Sequence, residues 1–352
     1  MSRSQFVTDL YVEQFNSFPA LVTHAPGRVN LIGDHTDYND GFVLPAAINY
    51  GTDIAASKRD DRIISVYAHD CDNQSAEFSL DDIRFDESRM WLNYVAGTLK
   101  VLMETFSDIQ GADIVVSGNV PQGAGLSSSA SFEIAILKTF AALYGLDLDG
   151  VTAALQGQRA ENTFVGCNCG IMDQLISAMG RDNHAMLLDC RSLTFQDAPI
   201  PEDLSIFIVN SNVKRGLVDS EYNQRRKQCE LVAAHFGVKA LRDVSIEQLN
   251  GAQEQLDPVL FKRAKHVVTE NSRTESALVA LTENDIAALS DLMKRSHNSL
   301  RDDFQVTVKE IDGLVDMIDE VLGSQGGVRM TGGGFGGCVV ALTPTKLLPQ
   351  LT

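Results

Sequence analysis

Residues 117–131 read SGNVPQGAGLSSSAS, and this stretch decides how the rest of the chain is interpreted. It follows Ala112–Val116, a short β-branched segment that predicts a buried strand. It leads into Phe132–Leu143, an apolar run that predicts a largely buried helix. The stretch is therefore a glycine-rich loop between a buried strand and a buried helix.

Three consecutive serines, Ser127–Ser129, stand at the start of that helix, behind Gly123 and Gly125. Unpaired backbone N–H groups and the positive end of the helix dipole converge at such a position and favour an anion, most plausibly phosphate. A single serine would be explained as an ordinary N-cap, but three serines behind two spaced glycines favour phosphate binding. No Lys-Ser or Lys-Thr pair follows the glycines, so this is not a Walker A loop. Backbone N–H groups, hydroxyls, a metal ion and distant basic residues would have to meet the charge of a triphosphate.

The composition predicts a globular chain of two domains. The chain has 352 residues, of which 44% are hydrophobic and 22% are charged. A shift in composition places the expected boundary near residue 190, which gives domains at residues 1–190 and 191–352. The formal net charge of −18 argues against binding to nucleic acid or to an anionic membrane.

The first residues lack an apolar core of signal-peptide length, and no apolar run is long enough to span a bilayer. The 6 cysteines are scattered, which suits free thiols in the reducing cytoplasm. Cys167 and Cys169 are the one close pair. A zinc site needs a second pair, so we expect a packing role.

Residues 24–41 read HAPGRVNLIGDHTDYNDG and contain a dense polar loop. Such a run is usually solvated turn chemistry. Here it lies between the apolar segments Val29–Ile32 and Phe42–Ile48. A polar loop held between two buried strands is a suitable place to bind a polyhydroxylated ligand.

Two acidic residues occur in predicted helices of the first half. Glu161 lies in the predicted helix Leu155–Phe164, and Asp173 follows a glycine-containing break in the apolar run Ile171–Met179. Asp173 could be only an N-terminal cap, but a carboxylate in an apolar wall is also how a catalytic acid is placed.

The second half is predicted to be mostly helical, at roughly residues 218–236, 258–282 and 285–304. His297 with Asp302 and Asp303 could form a catalytic cluster, but their spacing better fits a solvated helix end.

A glycine cluster lies near the end of the chain. Gly332, Gly334 and Gly337 satisfy the pattern GxGxxG. The context is wrong for a dinucleotide site, because this loop leads into a strand and does not open a helix. We expect its bare backbone to approach a neighbouring loop or a bound phosphate.

Three blocks, Pro26–Gly41, Pro121–Ser131 and Gly332–Gly337, together resemble the three motifs of the GHMP sugar and metabolite kinases. The first block, together with Val165–Gln174 and Arg329–Cys338, resembles the galactokinases in particular, and the likeness runs over nearly the whole chain. The resemblance implies a two-domain α+β fold. The N-terminal domain would be of the ribosomal-protein-S5-like βαβ type and the C-terminal domain mostly helical, with the active site in the cleft between them.

The activity that the resemblance implies is ATP-dependent phosphorylation of galactose at its anomeric hydroxyl, the first committed step of galactose catabolism. Asp173 would take the hydroxyl proton, as a true base or as an electrostatic group. Arg28 would keep it ionised and neutralise charge in the transition state. The implied Mg²⁺ ligands are Ser129 and Glu161.

The resemblance also implies binding sites for both substrates, and a monomer is expected. The nucleotide would contact Trp91 and the loop residues Gly123, Ala124, Gly125, Leu126, Ser127, Ser128 and Ser129. The sugar would contact Asp34, His35, Thr36, Asp37, Gly170 and Tyr222.

This chain departs from the family pattern in two places. The family usually has Glu where Asp34 stands, so the reach of this side chain is shorter by roughly 1.5 Å. We expect it still to contact the sugar, directly or through water. Relatives also usually continue past Thr352, so an outer strand or helix of the second domain is expected to be missing.

Three other functions compete with this interpretation. A non-catalytic galactose and ATP sensor would carry damage in the serine motif, which is intact here. An N-acetylgalactosamine kinase would need more space near the second carbon of the sugar. A Rossmann dehydrogenase is disfavoured by the context of the glycine cluster.

Overall fold

Apolar segments alternate with glycine, proline and polar turns along the chain, and the elements follow this alternation. The computed structural model describes residues 2–213 and 218–352, with backbone alone at 218–220. The helices are α1 (Arg3–Phe15), α2 (Met90–Met103), α3 (Ser128–Tyr144), α4 (Gly150–Ala160), α5 (Met172–Met179), α6 (Val218–His235), α7 (Ile246–Gly251), α8 (Pro258–Thr282), α9 (Ile286–Ser299), α10 (Lys309–Leu322) and α11 (Leu348–Leu351). The strands are β1 (Leu21–Asn30), β2 (Phe42–Val43), β3 (Pro45–Lys58), β4 (Ile63–Ala68), β5 (Gln74–Ser79), β6 (Ala112–Gly118), β7 (His184–Asp189), β8 (Phe195–Pro199), β9 (Leu204–Asn210), β10 (Gly327–Thr331) and β11 (Cys338–Pro344).

The described residues fall into two compact units, and both are discontinuous in sequence. The first comprises Met1–Arg28, Ile48–Pro121 and Ser127–Met179. The second comprises Val29–Ala47, Gln122–Leu126 and Gly180–Thr352. The expected domain boundary near residue 190 stays a prediction.

The first unit is built on the strand order β3-β6-β4-β5, with β1 beside β3. β6 runs antiparallel to β3 and parallel to β4. A parallel pair needs a crossover, and α2 supplies it between β4 and β6. Alternate side chains of the strands therefore face opposite layers. Ile54 and Ile114 pack in the same apolar cluster as residues of α2 and α3, whereas Ala55 and Val115 pack with Val7 of α1.

The second unit contains the antiparallel sheet β10-β11-β9 and helices α6 to α11. Its apolar core combines buried residues of these strands with Phe304 and residues of α6, α8 and α10. β7 and β8 form an antiparallel pair in this unit, and β7 also pairs with β2.

The sequence predicted the existence of these elements better than their ends. β6 and α3 confirm the strand predicted at residues 112–116 and the helix predicted at residues 132–143. α4 begins at Gly150, five residues before the predicted start, because the Asp149 carboxylate caps it by accepting from Val151 N and Thr152 N, both at 2.9 Å. β10 was missed, so the glycine cluster follows one strand and leads into the next.

The expectation of a solvated helix end at His297 was wrong. Only 3% of His297 is exposed, because α9 packs against β10 and Met330 N lies 3.4 Å from His297 Nδ1. No helix in the described ranges is both long and apolar enough to cross a membrane.

Candidate active site

Arg28 and Asp173, 145 positions apart in sequence, form a two-pronged ion pair in the first unit. Arg28 Nε donates to Asp173 Oδ1 and Arg28 Nη2 donates to Asp173 Oδ2, both at 2.8 Å. Arg28 lies on β1 with 5% of its surface exposed, and Asp173 is the second residue of α5. This fork geometry fixes the plane of the carboxylate as well as its position. Asp173 is therefore more than a helix cap.

Ser127 reaches the same carboxylate from the start of α3. Its hydroxyl donates to Asp173 Oδ2. Its backbone has φ 62° and ψ 53°, a left-handed conformation that is unusual for a residue other than glycine. Strain of this kind persists where the surroundings hold it, and it is frequent at functional sites. In this structure the Ser127 hydroxyl contacts Asp173, and its contact with phosphate stays a prediction.

Glu161 lies where α4 passes into a π-helical turn, Glu161–Val165, a local irregularity that is common at functional sites. Only 4% of Glu161 is exposed, and burial raises the pKa of its carboxyl group. Its carboxylate accepts from the Cys169 thiol at 3.3 Å and from the Gln174 amide at 2.7 Å. The nearby Ser129 side chain acts to lower its pKa. None of the described lysines, arginines and histidines forms an ion pair with it. The two residues predicted as metal ligands therefore lie near each other, and the buried carboxylate has no ion-pair partner among the described residues.

The loop ahead of Ser127 belongs to the second unit. Gly123 and Gly125 both adopt positive φ, 70° and 78°, in a conformation that glycine tolerates and other residues rarely adopt. Both glycines therefore stand where the backbone needs positive φ, while the contact of this loop with nucleotide stays a prediction.

The polar loop at residues 33–41, predicted to bind the sugar and called the sugar loop below, lies in the second unit and begins at Gly33. Gly33 has φ 100°, and a Cβ atom there would lie 2.6 Å from the carbonyl oxygen of Phe42, so only glycine fits. The Thr36 hydroxyl contacts the carbonyl oxygens of Gly33 at 2.7 Å and Phe42 at 2.6 Å. The structure therefore shows Thr36 closing the loop upon itself.

Asp34 is 2% exposed, and its two carboxylate oxygens are bonded to protein. Asp34 Oδ1 accepts from Asn30 Nδ2 at 3.1 Å and from Gly332 N at 3.3 Å. Asp34 Oδ2 accepts from Arg329 Nη2, and the side chain of Arg329 is 0% exposed. Asp34 thus joins the sugar loop to the end of β10, and the glycine cluster approaches a neighbouring loop as expected.

His35 and Tyr222 lie together in an aromatic cluster of the second unit. The ring centroid of His35 lies 5.5 Å from that of Tyr222 and 4.7 Å from that of Phe304. His35 Nδ1 lies 2.9 Å from the Tyr38 hydroxyl, and His35 Nε2 is buried without a hydrogen-bond partner. Burial lowers the pKa of His35 well below its ordinary value, so the imidazole is neutral at physiological pH. Its second nitrogen is available to a ligand hydroxyl.

Asp37, Gly170 and Trp91 were also predicted to belong to the site. Asp37 is half-buried beside this cluster, and Gly170 is buried just before α5. The Trp91 indole donates to Gln74 Oε1 at 2.7 Å, and its contact with a nucleotide stays a prediction.

Several buried residues around the site were missed by the sequence reasoning. Glu133 of α3 was detectable, because an acid interrupts an apolar helical run. Glu270 and His266 of α8 gave no such signal, because α8 is rich in charged residues throughout. Glu270 Oε1 accepts from Gly33 N at 3.0 Å, and His266 Nε2 lies 3.1 Å from the carbonyl oxygen of Asp34. Only the fold shows that this helix supports the sugar loop.

Comparison with known proteins agrees with this geometry. The galactokinase galactose-binding signature matches residues 9–58. The GHMP kinase N-terminal and C-terminal profiles match residues 93–181 and 277–350.

Solved structures extend the match to the whole chain. Lactococcus lactis galactokinase complexed with galactose is 33% identical, with a TM-score of 0.93 over 99% of this chain and 92% of that one. Two more distant structures show the fold alone. Methanococcus jannaschii mevalonate kinase is 18% identical, with a TM-score of 0.64 over 94% of this chain and 93% of that one. Streptococcus pneumoniae phosphomevalonate kinase in complex with phosphomevalonate and AMPPNP is 12% identical, with a TM-score of 0.68 over 94% of this chain and 95% of that one. On the signature match and the full-length likeness at 33% identity, the chain belongs to the galactokinase family of GHMP kinases.

Proposed function

We propose that this protein transfers the γ-phosphoryl group of ATP to the anomeric hydroxyl of D-galactose and releases galactose 1-phosphate and ADP. The observation that carries the proposal is the match of residues 9–58 to the galactose-binding signature in a chain 33% identical to a galactokinase. The ion pair between Arg28 and Asp173 supplies the matching chemistry, since phosphoryl transfer depends chiefly on positioning and charge stabilisation.

Asp173 is the group proposed to face the sugar hydroxyl. As a base it accepts the hydroxyl proton while the oxygen forms a bond to the γ-phosphorus, and the bond from that phosphorus to ADP breaks. As an electrostatic group it orients the hydroxyl without keeping the proton. Arg28 holds one edge of the carboxylate and places positive charge beside the phosphoryl group. The Ser127 hydroxyl restricts the same carboxylate from the α3 side.

Mg²⁺ is the proposed metal, with Ser129 and Glu161 as its protein ligands. The residues fit, because a buried carboxylate that forms no ion pair with a described residue lies near a hydroxyl, and both are hard oxygen donors. No group of three acidic, histidine or cysteine residues that could hold a metal occurs in the described part of the chain. A Mg²⁺ ion that binds nucleotide phosphates does not need such a group, since phosphates and water complete its shell. When bound, the ion would neutralise charge on the phosphates.

The nucleotide is proposed to lie on the loop Gly123–Ser129, where the N–H groups at the start of α3 favour phosphate. Trp91 as an adenine neighbour stays a prediction, as do a monomeric state and a cytoplasmic location.

The sugar is proposed to contact Asp34, His35, Asp37, Gly170 and Tyr222. His35 is supported best, by its unpartnered Nε2. Asp34 is already engaged by Arg329 and Gly332, so any contact with sugar uses its remaining lone pairs. An Asp34→Ala enzyme with an unchanged galactose KM would show that this contact does not exist.

A sugar panel tests the function. The purified protein is mixed with ATP, Mg²⁺ and galactose, N-acetylgalactosamine or glucose, ADP release is measured, and the phosphorylated position is determined by phosphorus NMR. We expect turnover with galactose and phosphate on its first carbon. Galactose binding without ADP release would indicate a sensor, and preference for N-acetylgalactosamine would indicate the other kinase.

A further inference from the structure

Three helices of the first unit meet at the amide of Gln174, the residue after Asp173. Gln174 Nε2 lies 2.7 Å from Glu161 Oε2 and 3.1 Å from Glu133 Oε2. An amide nitrogen carries two hydrogens, and both are used here on carboxylates from two different helical segments. All three side chains are almost fully buried, with exposures of 0% for Glu133 and Gln174 and 4% for Glu161.

The position of Gln174 is fixed by close packing on α4. A Cβ atom added to Gly157 would lie 3.3 Å from Gln174 Cγ and 3.4 Å from Glu133 Oε2. Glycine at this position therefore lets the glutamine stem and the glutamate approach the α4 backbone.

The bonds to Glu161 are unequal between its two oxygens. Oε2 receives both the Gln174 amide and the Cys169 thiol, at 2.7 Å and 3.3 Å. An oxygen that accepts two hydrogen bonds is a poorer metal ligand than its neighbour. These bonds orient the carboxylate, and Oε1 would then be the oxygen that faces the cation.

Glu133 stands one helical turn after Ser129 on α3, so the two side chains share a face of that helix. Glu133 Oε2 accepts from the Gln174 amide, which also donates to Glu161 Oε2, so Glu133 anchors the group that holds Glu161.

We propose that Gln174 is a positioning residue for metal binding, with Glu133 as its anchor, and that it sets the orientation of the Glu161 carboxylate. This inference rests on the proposed role of Ser129 and Glu161 as Mg²⁺ ligands. Residues that hydrogen-bond to metal ligands typically contribute about 10- to 100-fold to metal affinity. Gln174 belongs to this class without touching the ion or the substrates.

The experiment compares Gln174→Leu with the matched control Gln156→Leu. Gln156 is also a buried glutamine of the first unit, 8% exposed on α4, but its amide reaches Thr105 at 3.5 Å and not Glu161. ADP binding is measured by calorimetry at a series of MgCl₂ concentrations and without metal, and Mn²⁺ binding to the enzyme–ADP complex is followed by electron paramagnetic resonance.

We expect Gln174→Leu to raise the Mg²⁺ concentration at half-saturation about 10- to 100-fold and to weaken Mn²⁺ binding in parallel. Metal-free ADP binding and the galactose KM should stay at the wild-type values, which a general structural defect would not allow. If Gln174→Leu does not fold, Gln174→Asn, which keeps the amide but shortens its reach, should show the same shift.

The variant Glu161→Gln distinguishes a failure of the positioning role of Gln174 from a failure of the proposed Mg²⁺ site. One outcome is that Glu161→Gln raises the Mg²⁺ requirement while Gln174→Leu behaves like Gln156→Leu. In that case the positioning role of Gln174 is wrong, and Glu161 is supported as a metal ligand. If Glu161→Gln leaves the Mg²⁺ dependence unchanged, the proposed metal site is wrong, and the role of Gln174 is wrong with it.

Discussion

The Arg28 guanidinium and the Asp173 carboxylate form two parallel hydrogen bonds, each 2.8 Å long, between β1 and α5. The pair is not a surface contact, since the Arg28 side chain is 6% exposed and that of Asp173 is 26% exposed. One face of the carboxylate remains open while its orientation is fixed. This arrangement suits a group that must meet a substrate hydroxyl in a defined direction.

Asp173→Asn should lower kcat by about 10²- to 10⁴-fold, because an amide neither accepts the hydroxyl proton nor carries the charge that Arg28 pairs. The control is Asp113→Asn, which also breaks an Asp–Arg pair of the first unit, with Arg59 at 2.7 Å. That variant should retain wild-type kcat. ADP release under saturating galactose and ATP measures both, and near-normal turnover in Asp173→Asn would remove this residue from either catalytic role.

Asp34→Asn should lower the free energy of unfolding by about 3–5 kcal/mol, because it leaves the buried Arg329 guanidinium without its counter-charge. The side-chain exposures of this pair are 0% and 3%. Asp302→Asn is the comparison, since the Arg301–Asp302 pair is 40% and 60% exposed and should contribute about 1 kcal/mol or less. Urea denaturation of the two variants measures the difference. Equal stabilities would show that the Asp34–Arg329 pair does not stabilise the fold.

Acidification should destabilise the protein between about pH 6.5 and pH 4 through His266. Burial lowers its pKa to about 4, and the nearby Glu270 and Arg273 act in opposite directions. The unfolded chain binds a proton in this window and the folded chain does not, so stability falls as the pH falls. The difference between the ordinary pKa of 6.5 and the pKa of about 4 in the folded chain corresponds to about 3 kcal/mol in the free energy of unfolding.

The variant His266→Gln should reduce that pH dependence, because glutamine does not titrate but can still bond to Ser299 and to the Asp34 carbonyl oxygen. A smaller slope should remain, since burial also lowers the pKa of His297 to about 4. His235→Gln, at an exposed histidine near the end of α6, should leave the curve unchanged. Thermal unfolding measured from pH 7 to pH 4 compares the three proteins. A slope in His266→Gln as steep as in wild type would contradict the assignment.

The sequence predicted those parts of the site that local chemistry dictates. Gly123 and Gly125 stand where the backbone needs positive φ, and the serines mark the start of α3. The family motifs supplied the pairing of Arg28 with Asp173. Local patterns could not show that Ser127 turns toward Asp173, because this depends on a left-handed backbone that nothing in SSSAS requires.

The residues that support the sugar loop could not be predicted from the sequence, for a different reason. Glu270 and His266 hold the sugar loop across more than 230 positions of sequence. On α8 they look like ordinary members of a polar helix, and their burial arises only when the helix packs. The identity of a buried polar partner depends on tertiary contacts that periodicity does not encode.

Two substitutions separate the effect of the Ser127 backbone conformation from the effect of its hydroxyl group. Ser127→Gly removes the hydroxyl and also relieves the left-handed backbone, which costs a residue with a side chain about 1–2 kcal/mol. Ser127→Ala removes the hydroxyl and keeps the strain. Both variants should therefore lose activity to a similar degree, whereas only Ser127→Gly should gain stability.

The control for this comparison is Asp72→Gly, at an exposed residue of the first unit with φ 54°. It should gain stability like Ser127→Gly and keep wild-type kcat, because it relieves the same kind of strain away from Asp173. Thermal unfolding and steady-state kinetics are measured on wild type, Ser127→Gly, Ser127→Ala and Asp72→Gly to compare their stability and their kcat. If Ser127→Ala keeps full activity, the hydrogen bond to Asp173 has no part in catalysis. If Ser127→Gly is no more stable than Ser127→Ala, the left-handed serine is not strained, and its conformation needs no functional explanation.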